Sequence, residues 1–145
     1  MPTPLVPELN VTDFDVSHRF YCELLGWQVL YDRPEDGFAM LELGGAKLMI
    51  DALRIGRNFD ATLTPDDRPF GRGMNLEIEL PDIQPPLDAL SAAGYPLHLA
   101  PEEKWYRAGA EELGQRQFIV ADPDGYLLRF CQSLGKRPCG GANAL

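Results

Sequence analysis

Aromatic rings and carboxylates are the groups in this sequence whose spacing points to chemistry. Trp105 and Tyr106 follow Glu102 and Glu103 within a polar segment from Pro101 to Glu111, which is predicted to be a loop. Aromatic faces stack on planar rings and attract cations, contributing roughly 0.5–2 kcal/mol each, and clustered carboxylates steer cationic ligands. The segment therefore predicts contacts to a flat, cationic small molecule.

Signatures of common catalytic sites are missing from the sequence. It has no Gly-x-Ser-x-Gly nucleophile elbow and no glycine-rich phosphate loop. The histidines, His18 and His98, fall in different predicted elements, and metal sites usually need several converging donors. Three cysteines without Cys-x-x-Cys spacing are expected to be reduced thiols. We expect no catalytic residue, no metal and no cofactor.

Composition and charge restrict the class of protein and of partner. With 145 residues and 45% apolar content, the chain is long enough to bury a core of its own. A formal net charge of −9 argues against nucleic acid or an anionic membrane as partner. The sequence shows neither a signal-peptide pattern nor an apolar run long enough to span a bilayer, so a cytoplasmic location is expected.

Hydrophobic periodicity divides the chain into two similar halves. In the first, a strand over 5–11 precedes a helix that Thr12 and Asp13 cap and Gly26 ends, and strands follow over 27–31, 38–43 and 46–51. The second half repeats this order: a strand over 75–80, a helix from Asp82 to Gly94, and strands near 95–99, 115–121 and 126–131. The apolar face of the first helix is predicted to contain Val16, Phe20, Tyr21, Leu24 and Leu25.

This repeat predicts an α+β fold of two tandem βαβββ modules. We expect an incomplete barrel of two curved sheets, with helices outside and a pocket inside. In this prediction residues 1–134 form a single domain, with modules at about 4–57 and 71–134 and a linker at about 52–72. Residues 135–145 are expected to be a flexible C-terminal tail.

Strand alternation predicts which side chains face the pocket. In the strand over 75–80, Ile78 points to the core and Glu77 to the opposite, concave face. In the first module, Phe38 and Asp51 fall on the corresponding face. The concave surface is therefore expected to be acidic and partly aromatic.

Two motifs carry a family resemblance. The first runs from Val11 through Phe20-Tyr21 to Leu25-Gly26-Trp27, and the second is the turn Asp122-Pro123-Asp124-Gly125. In these motifs the chain resembles the vicinal oxygen chelate superfamily, which contains glyoxalases, extradiol dioxygenases and bleomycin resistance proteins. The resemblance extends from about residue 5 to about residue 134.

The resemblance also tests for a metal site. Metal-dependent members carry histidines at the positions of Val6 and Asn75 and a glutamate at the position of Arg129. Valine has no lone pair, and arginine places a permanent positive charge where a carboxylate would hold a cation. An alternative all-oxygen site could draw on Glu8, Glu77 and Asp51, and would suit a hard cation.

Members of the superfamily that keep the pocket without the metal include the bleomycin resistance proteins, known as homodimers that sequester the drug in grooves between subunits. The resemblance therefore implies a non-catalytic homodimer that binds a cationic, aromatic small molecule of the bleomycin type. The alternatives are a metal-dependent lyase or dioxygenase with relocated ligands, and a module that binds an unrelated metabolite. The predicted ligand-binding residues are Phe38, Glu77, Glu102, Glu103, Trp105, Tyr106 and Arg129.

Overall fold

The computed structural model describes residues 2–56 and 58–140, which form two compact units. Unit 1 contains the described residues up to Met74 together with Ala121–Tyr126. Unit 2 contains Asn75–Val120 together with the described residues from Leu127 onward.

Unit 1 contains the first βαβββ module. Its elements are β1 (Glu8–Val11), α1 (Phe14–His18), β2 (Gln28–Arg33), β3 (Phe38–Leu43) and β4 (Ala46–Ala52). A π-helical segment, Arg19–Leu24, continues α1, and 3-10 turns lie at Pro34–Asp36 and Pro65–Asp67. The strand order is β1-β4-β3-β2, with β1 parallel to β4 and the other pairs antiparallel.

The first helix begins and ends as predicted, but its buried face differs. The Asp13 carboxylate accepts a hydrogen bond from the Val16 amide at 3.1 Å, and Gly26 ends the segment at a φ of +82°. Tyr21 is fully buried, whereas Val16 is 38% exposed, so its predicted place in the core is wrong. A π turn holds more residues than an α turn, so side chains before and after a π turn are not related by α-helical spacing. An apolar face predicted with α-helical spacing therefore includes side chains that lie on another face.

The Asp-Pro-Asp-Gly turn is a hydrogen-bonded anchor of unit 1. Oδ1 of Asp122 accepts from the amides of Asp124 and Tyr126, both at 2.9 Å, and its Oδ2 accepts from the Tyr21 hydroxyl at 2.5 Å. The Asp124 carboxylate accepts from the Thr12 hydroxyl at 2.7 Å. Two carboxylates that the sequence marks only as turn formers thus join this turn to the first helix.

Unit 2 contains the second module. Its elements are β5 (Asn75–Glu79), α2 (Gln84–Ala92), β6 (Leu99–Ala108), β7 (Glu111–Ala121) and β8 (Leu127–Pro138). The strand order is β5-β8-β7-β6, with β5 parallel to β8. Stacked rings of Phe118 and Phe130, with centroids 5.3 Å apart, lie in its core.

Four predicted boundaries need correction. The strand predicted near 95–99 begins only at Leu99, as β6. The first strand begins at Glu8 rather than at Leu5, which is 82% exposed. The predicted loop from Pro101 to Glu111 is instead a β6–β7 hairpin that turns at Gly109, with a φ of +68°. Most of β6 is exposed, and this exposure removes the apolar alternation that marks a half-buried strand.

At the C-terminus, β8 runs to Pro138, so residues 135–138 are strand rather than tail; residues 141–145 lie outside the described part. The α+β class and the order of both βαβββ modules are confirmed.

Candidate functional site

A cleft of about 530 Å³ lies in unit 1, over the sheet and beside the connector that follows β4. Its size lies within the range of small-molecule sites, roughly 300–1,000 Å³. The lining residues are Glu8, Tyr31, Arg33, Asp36, Phe38, Met49, Asp51, Ile55, Gly56 and Phe59.

Strand register explains why distant residues meet in this cleft. Phe38 of β3 pairs with Asp51 of β4, and Met49 of β4 pairs with Glu8 of β1. Because side chains alternate along a strand, Met49 and Asp51 project to the same face. The predicted grouping of Phe38 with Asp51 on one surface is therefore confirmed.

One wall of the cleft is aromatic. The rings of Tyr31 and Phe38 stack with centroids 6.0 Å apart, and Phe59 is 77% exposed. The guanidinium of Arg33 lies 4.2 Å from the centroid of the Phe38 ring and forms a 3.4 Å ion pair with Asp36. Phe38 thus already carries a cation over its face, supplied by its own chain.

The cleft also contains a pair of carboxyl groups. Asp51 is 4% exposed, and its side chain lies within hydrogen-bonding reach of the Glu8 carboxyl group. Oδ1 of Asp51 has no hydrogen-bond partner among residues 2–56 and 58–140. Burial raises the pKa of Asp51 to about 6, and the hydrogen bond and charge of Glu8 contribute in the same direction.

Gly56 closes the cleft above this pair. A Cβ at this position would collide with Oδ1 of Asp51, so any side chain here would displace the buried carboxyl group. The absence of a side chain allows the connector to approach β4 closely.

In unit 2, the predicted residues Glu77 and Arg129 form an ion pair. They face each other in the β5–β8 register, and Arg129 Nη2 lies 3.2 Å from Glu77 Oε1. Arg129 Nε is buried and has no hydrogen-bond partner in the described part of the chain. The Glu77 carboxylate is therefore neutralised by a neighbouring guanidinium.

Glu102 and Tyr106 belong to a second group, centred on a residue that sequence reasoning missed. The Gln117 side chain, 2% exposed, donates to Glu102 at 2.9 Å and to the Tyr106 hydroxyl at 2.8 Å, and accepts from Gln115 at 2.7 Å. Gln115 and Gln117 alternate along β7, a signal that marks one polar face but does not identify a buried amide.

Trp105 already has partners within its own chain. Its ring lies against Gly114, whose ideal Cβ would be 2.5 Å from it, and the Arg137 guanidinium lies 4.1 Å from its centroid. Glu103 is exposed and faces Arg116 across the β6–β7 pairing. Of the seven predicted ligand residues, Phe38 lies in the unit 1 cleft and the other six lie in unit 2.

The donors present do not fit the metal site of the superfamily. Val6 offers no lone pair, and Arg129 pairs its positive charge with the neighbouring carboxylate of Glu77. Among the described residues, no group of three or more His, Cys, Asp or Glu side chains could hold a metal ion.

Comparison with known proteins identifies the class. The sequence model of the glyoxalase/bleomycin resistance protein/dioxygenase superfamily matches residues 5–130, and the chain belongs to this superfamily. No curated protein matches the chain. None of the helices in the described residues is long and apolar enough to cross a bilayer.

Solved structures that are similar to this chain come from several bacteria. A superfamily member from Vibrio splendidus is 34% identical, with 88% of this chain and 95% of that chain covered and a TM-score of 0.39. A virulence protein from Salmonella typhimurium is 21% identical over 91% and 97%, with a TM-score of 0.64. TioX from a Micromonospora species is 22% identical over 92% and 100%, with a TM-score of 0.65.

Proposed function

We propose that this protein binds a cationic, aromatic small molecule of the bleomycin type and sequesters it without chemical change. The observation that carries the proposal is the unit 1 cleft, which is lined by both aromatic rings and a pair of carboxyl groups. A flat ring can stack on Tyr31 or Phe59, and a cationic arm can bind at Glu8 and Asp51.

Charge supports the same ligand class. Glu8, Asp36 and Asp51 outnumber Arg33 among the charged residues that line the cleft, and the whole chain carries −9. Acidic clefts concentrate cations and accelerate their association. Binding without conversion is supported by the described residues that line the cleft, among which none is an activated nucleophile beside a base.

Titration calorimetry with metal-free bleomycin tests the proposal, followed by mass spectrometry of the recovered drug. Phe38→Leu should weaken binding roughly 5- to 30-fold because it removes the ring against which Tyr31 stacks in the cleft. Phe14→Leu, on α1 and outside the cleft lining, is the matched control. Equal affinity of Phe38→Leu and wild type, or a chemically altered drug, would refute the proposal.

The predicted contacts of unit 2 remain part of the proposal. In unit 2 the proposed ligand contacts are the carboxylates of Glu77, Glu102 and Glu103, the rings of Trp105 and Tyr106, and the guanidinium of Arg129. In the same titration, Trp105→Ala should reduce affinity roughly 5- to 150-fold, an effect that salt leaves unchanged. Glu103→Gln should weaken binding mainly at low ionic strength, because steering by exposed charges is screened by salt.

We further propose that the protein acts in the cytoplasm as a homodimer. β2 lies at the end of its sheet, and all six of its residues are exposed. Exposed apolar side chains on an edge strand favour pairing with a second chain.

A further inference from the structure

The Glu8–Asp51 pair contains two acidic groups within hydrogen-bonding reach of each other, one of them buried. Glu8 is exposed at the cleft, whereas Asp51 lies behind it and is 4% exposed. Two carboxylates within hydrogen-bonding reach repel each other unless one of them carries a proton that both share. The geometry therefore calls for either a proton or a cation between them.

In the free protein, the surroundings of Oδ1 of Asp51 favour a proton on this carboxyl group over a bound cation. This oxygen has no donor within the described residues and lies under Gly56. A buried anionic oxygen without a donor is costly, whereas the oxygen of a neutral carboxyl group costs much less. A proton on Asp51, donated to Glu8, removes the charge from the buried group and leaves the exposed carboxylate facing the cleft.

We propose that the Glu8–Asp51 pair is a proton-exchange subsite, at which a planar N–H-donating cation such as an amidinium replaces the shared proton. The released proton passes to water or buffer, and the cation then neutralises both carboxylates. This inference rests on the proposed function in taking the cleft as the ligand site, and it adds the class of the cationic group and the proton coupled to its binding.

Several charged groups of the described residues act on the pKa of Asp51. Glu8 on β1 and Asp36 in the Pro34–Asp36 turn raise the pKa of Asp51, and Arg33 at the end of β2 lowers it. Burial is the largest cause of the raised pKa of Asp51, which is about 6. Exchange of the proton for the cation is therefore expected at pH values around 6. The pair is therefore protonated in weak acid and doubly charged above neutral pH.

The test uses benzamidine as the cation and benzamide as its neutral counterpart of nearly equal shape. Carbon-detected NMR follows the side-chain carboxyl of Asp51 through a pH titration of the full chain. We expect a midpoint near 6 in the free protein, a midpoint lowered by at least about two units in saturating benzamidine, and no shift with benzamide.

Calorimetry supplies the second readout. Benzamidine affinity should fall about tenfold from pH 7 to pH 5, with release of close to one proton per molecule bound at pH 5 and almost none at pH 8. Proton release is measured by comparing buffers of different ionisation enthalpy. Asp51→Asn should abolish both effects, and Glu42→Gln, in the same sheet but outside the cleft lining, should preserve them.

Several results would overturn the proposal: an ordinary midpoint for Asp51 near 3.8 in the free protein, a midpoint that benzamidine leaves unchanged, or an equal shift with benzamide or Mg²⁺. A benzamidine shift without bleomycin binding would leave the subsite standing and refute the proposed function. Bleomycin binding without proton release or a change at Asp51 would support the proposed function and refute the subsite.

Discussion

Two aromatic side chains that the sequence predicts as stacking surfaces are each covered by an arginine of the same chain. Arg33 lies 4.2 Å from the centroid of Phe38, and Arg137 lies 4.1 Å from that of Trp105. A guanidinium over an aromatic face makes the same contact that a cationic ligand would make. At Phe38, therefore, a ligand has to compete with Arg33 for one face of the ring.

This competition predicts that Arg33→Met binds a cationic aromatic ligand more tightly than wild type. Loss of one cation–π contact and of one repelling charge should raise affinity roughly 2- to 30-fold, as measured by calorimetry with bleomycin or benzamidine. Arg19→Met, which makes the same charge change in unit 1 away from the cleft, should have little effect. A weaker-binding Arg33→Met would show that the guanidinium contacts the ligand instead.

A second prediction at this scale concerns Asp122 and the pH dependence of stability. Burial raises the pKa of Asp122 to about 6, so the folded protein holds this proton more tightly than the unfolded chain does. Its contribution to the free energy of unfolding is complete below about pH 4 and is lost as the pH rises through 6.

Urea unfolding at pH 4 and pH 7 tests this prediction. Relative to Asp122→Asn, wild type should lose on the order of 2 kcal/mol of unfolding free energy between these pH values. Asp32→Asn, at an exposed position of β2, is the control. A constant difference between Asp122→Asn and wild type across this range would contradict the assignment.

At the scale of elements, the β6–β7 hairpin is held by side chains that cross it. Trp105 and Gly114 are paired residues of the two strands, and the indole ring lies over the space that a side chain at Gly114 would fill. Arg137 of β8 lies over the same ring and forms a 2.7 Å ion pair with Glu112. The hairpin is thus a packed ribbon rather than a mobile loop.

Gly114→Ala should therefore destabilise the protein by about 1–3 kcal/mol, because the ring must move from its position. The double variant Gly114→Ala with Trp105→Ala should recover most of this cost, since the added methyl group then meets open space. Urea unfolding of the four variants of this cycle measures the coupling. Additive losses would mean that the ring does not lie over Gly114.

At the scale of the whole molecule, the sheet of unit 1 has an exposed edge. Val29, Leu30 and Tyr31 of β2 are 37%, 45% and 52% exposed, and a register shift between Val29 and Tyr31 interrupts the pairing with β3. An apolar edge of this kind is a site for association with another chain.

We expect light scattering to report twice the 16.1 kDa mass of the chain at micromolar concentration. Leu30→Lys should shift the equilibrium toward the monomer, because it places a charge on the apolar edge. Leu134→Lys, which makes the same change on β8 at a side chain 37% exposed, is the matched control. A monomeric wild type would refute the homodimer.

Metal content is also a property of the whole protein. We expect purification without a stoichiometric transition metal, and no rise in melting temperature on addition of Zn²⁺, Ni²⁺ or Fe²⁺, because Val6, Asn75 and Arg129 occupy the three ligand positions. Elemental analysis and thermal unfolding provide the measurements. About one tightly held metal per chain would restore the enzyme alternative.

Local features of the fold could be predicted from the sequence because each depends on neighbouring residues. The cap at Asp13, the end of the helix at Gly26 and the turn over 122–125 rest on side chains and backbone angles a few residues apart. Periodicity predicted the order of both modules for the same reason. It failed for the β6–β7 hairpin, where exposure of the strand removes the alternation.

The arrangement of the candidate site was decided only by the tertiary structure. Glu8 meets Asp51, and Gln117 meets Glu102, because strand pairing brings together residues that are distant in the chain. Sequence alternation indicates the face of a sheet on which a side chain lies, but not its neighbour across the sheet or its depth of burial. Burial and a specific partner determine whether a carboxyl group carries a proton, and both depend on the packed fold.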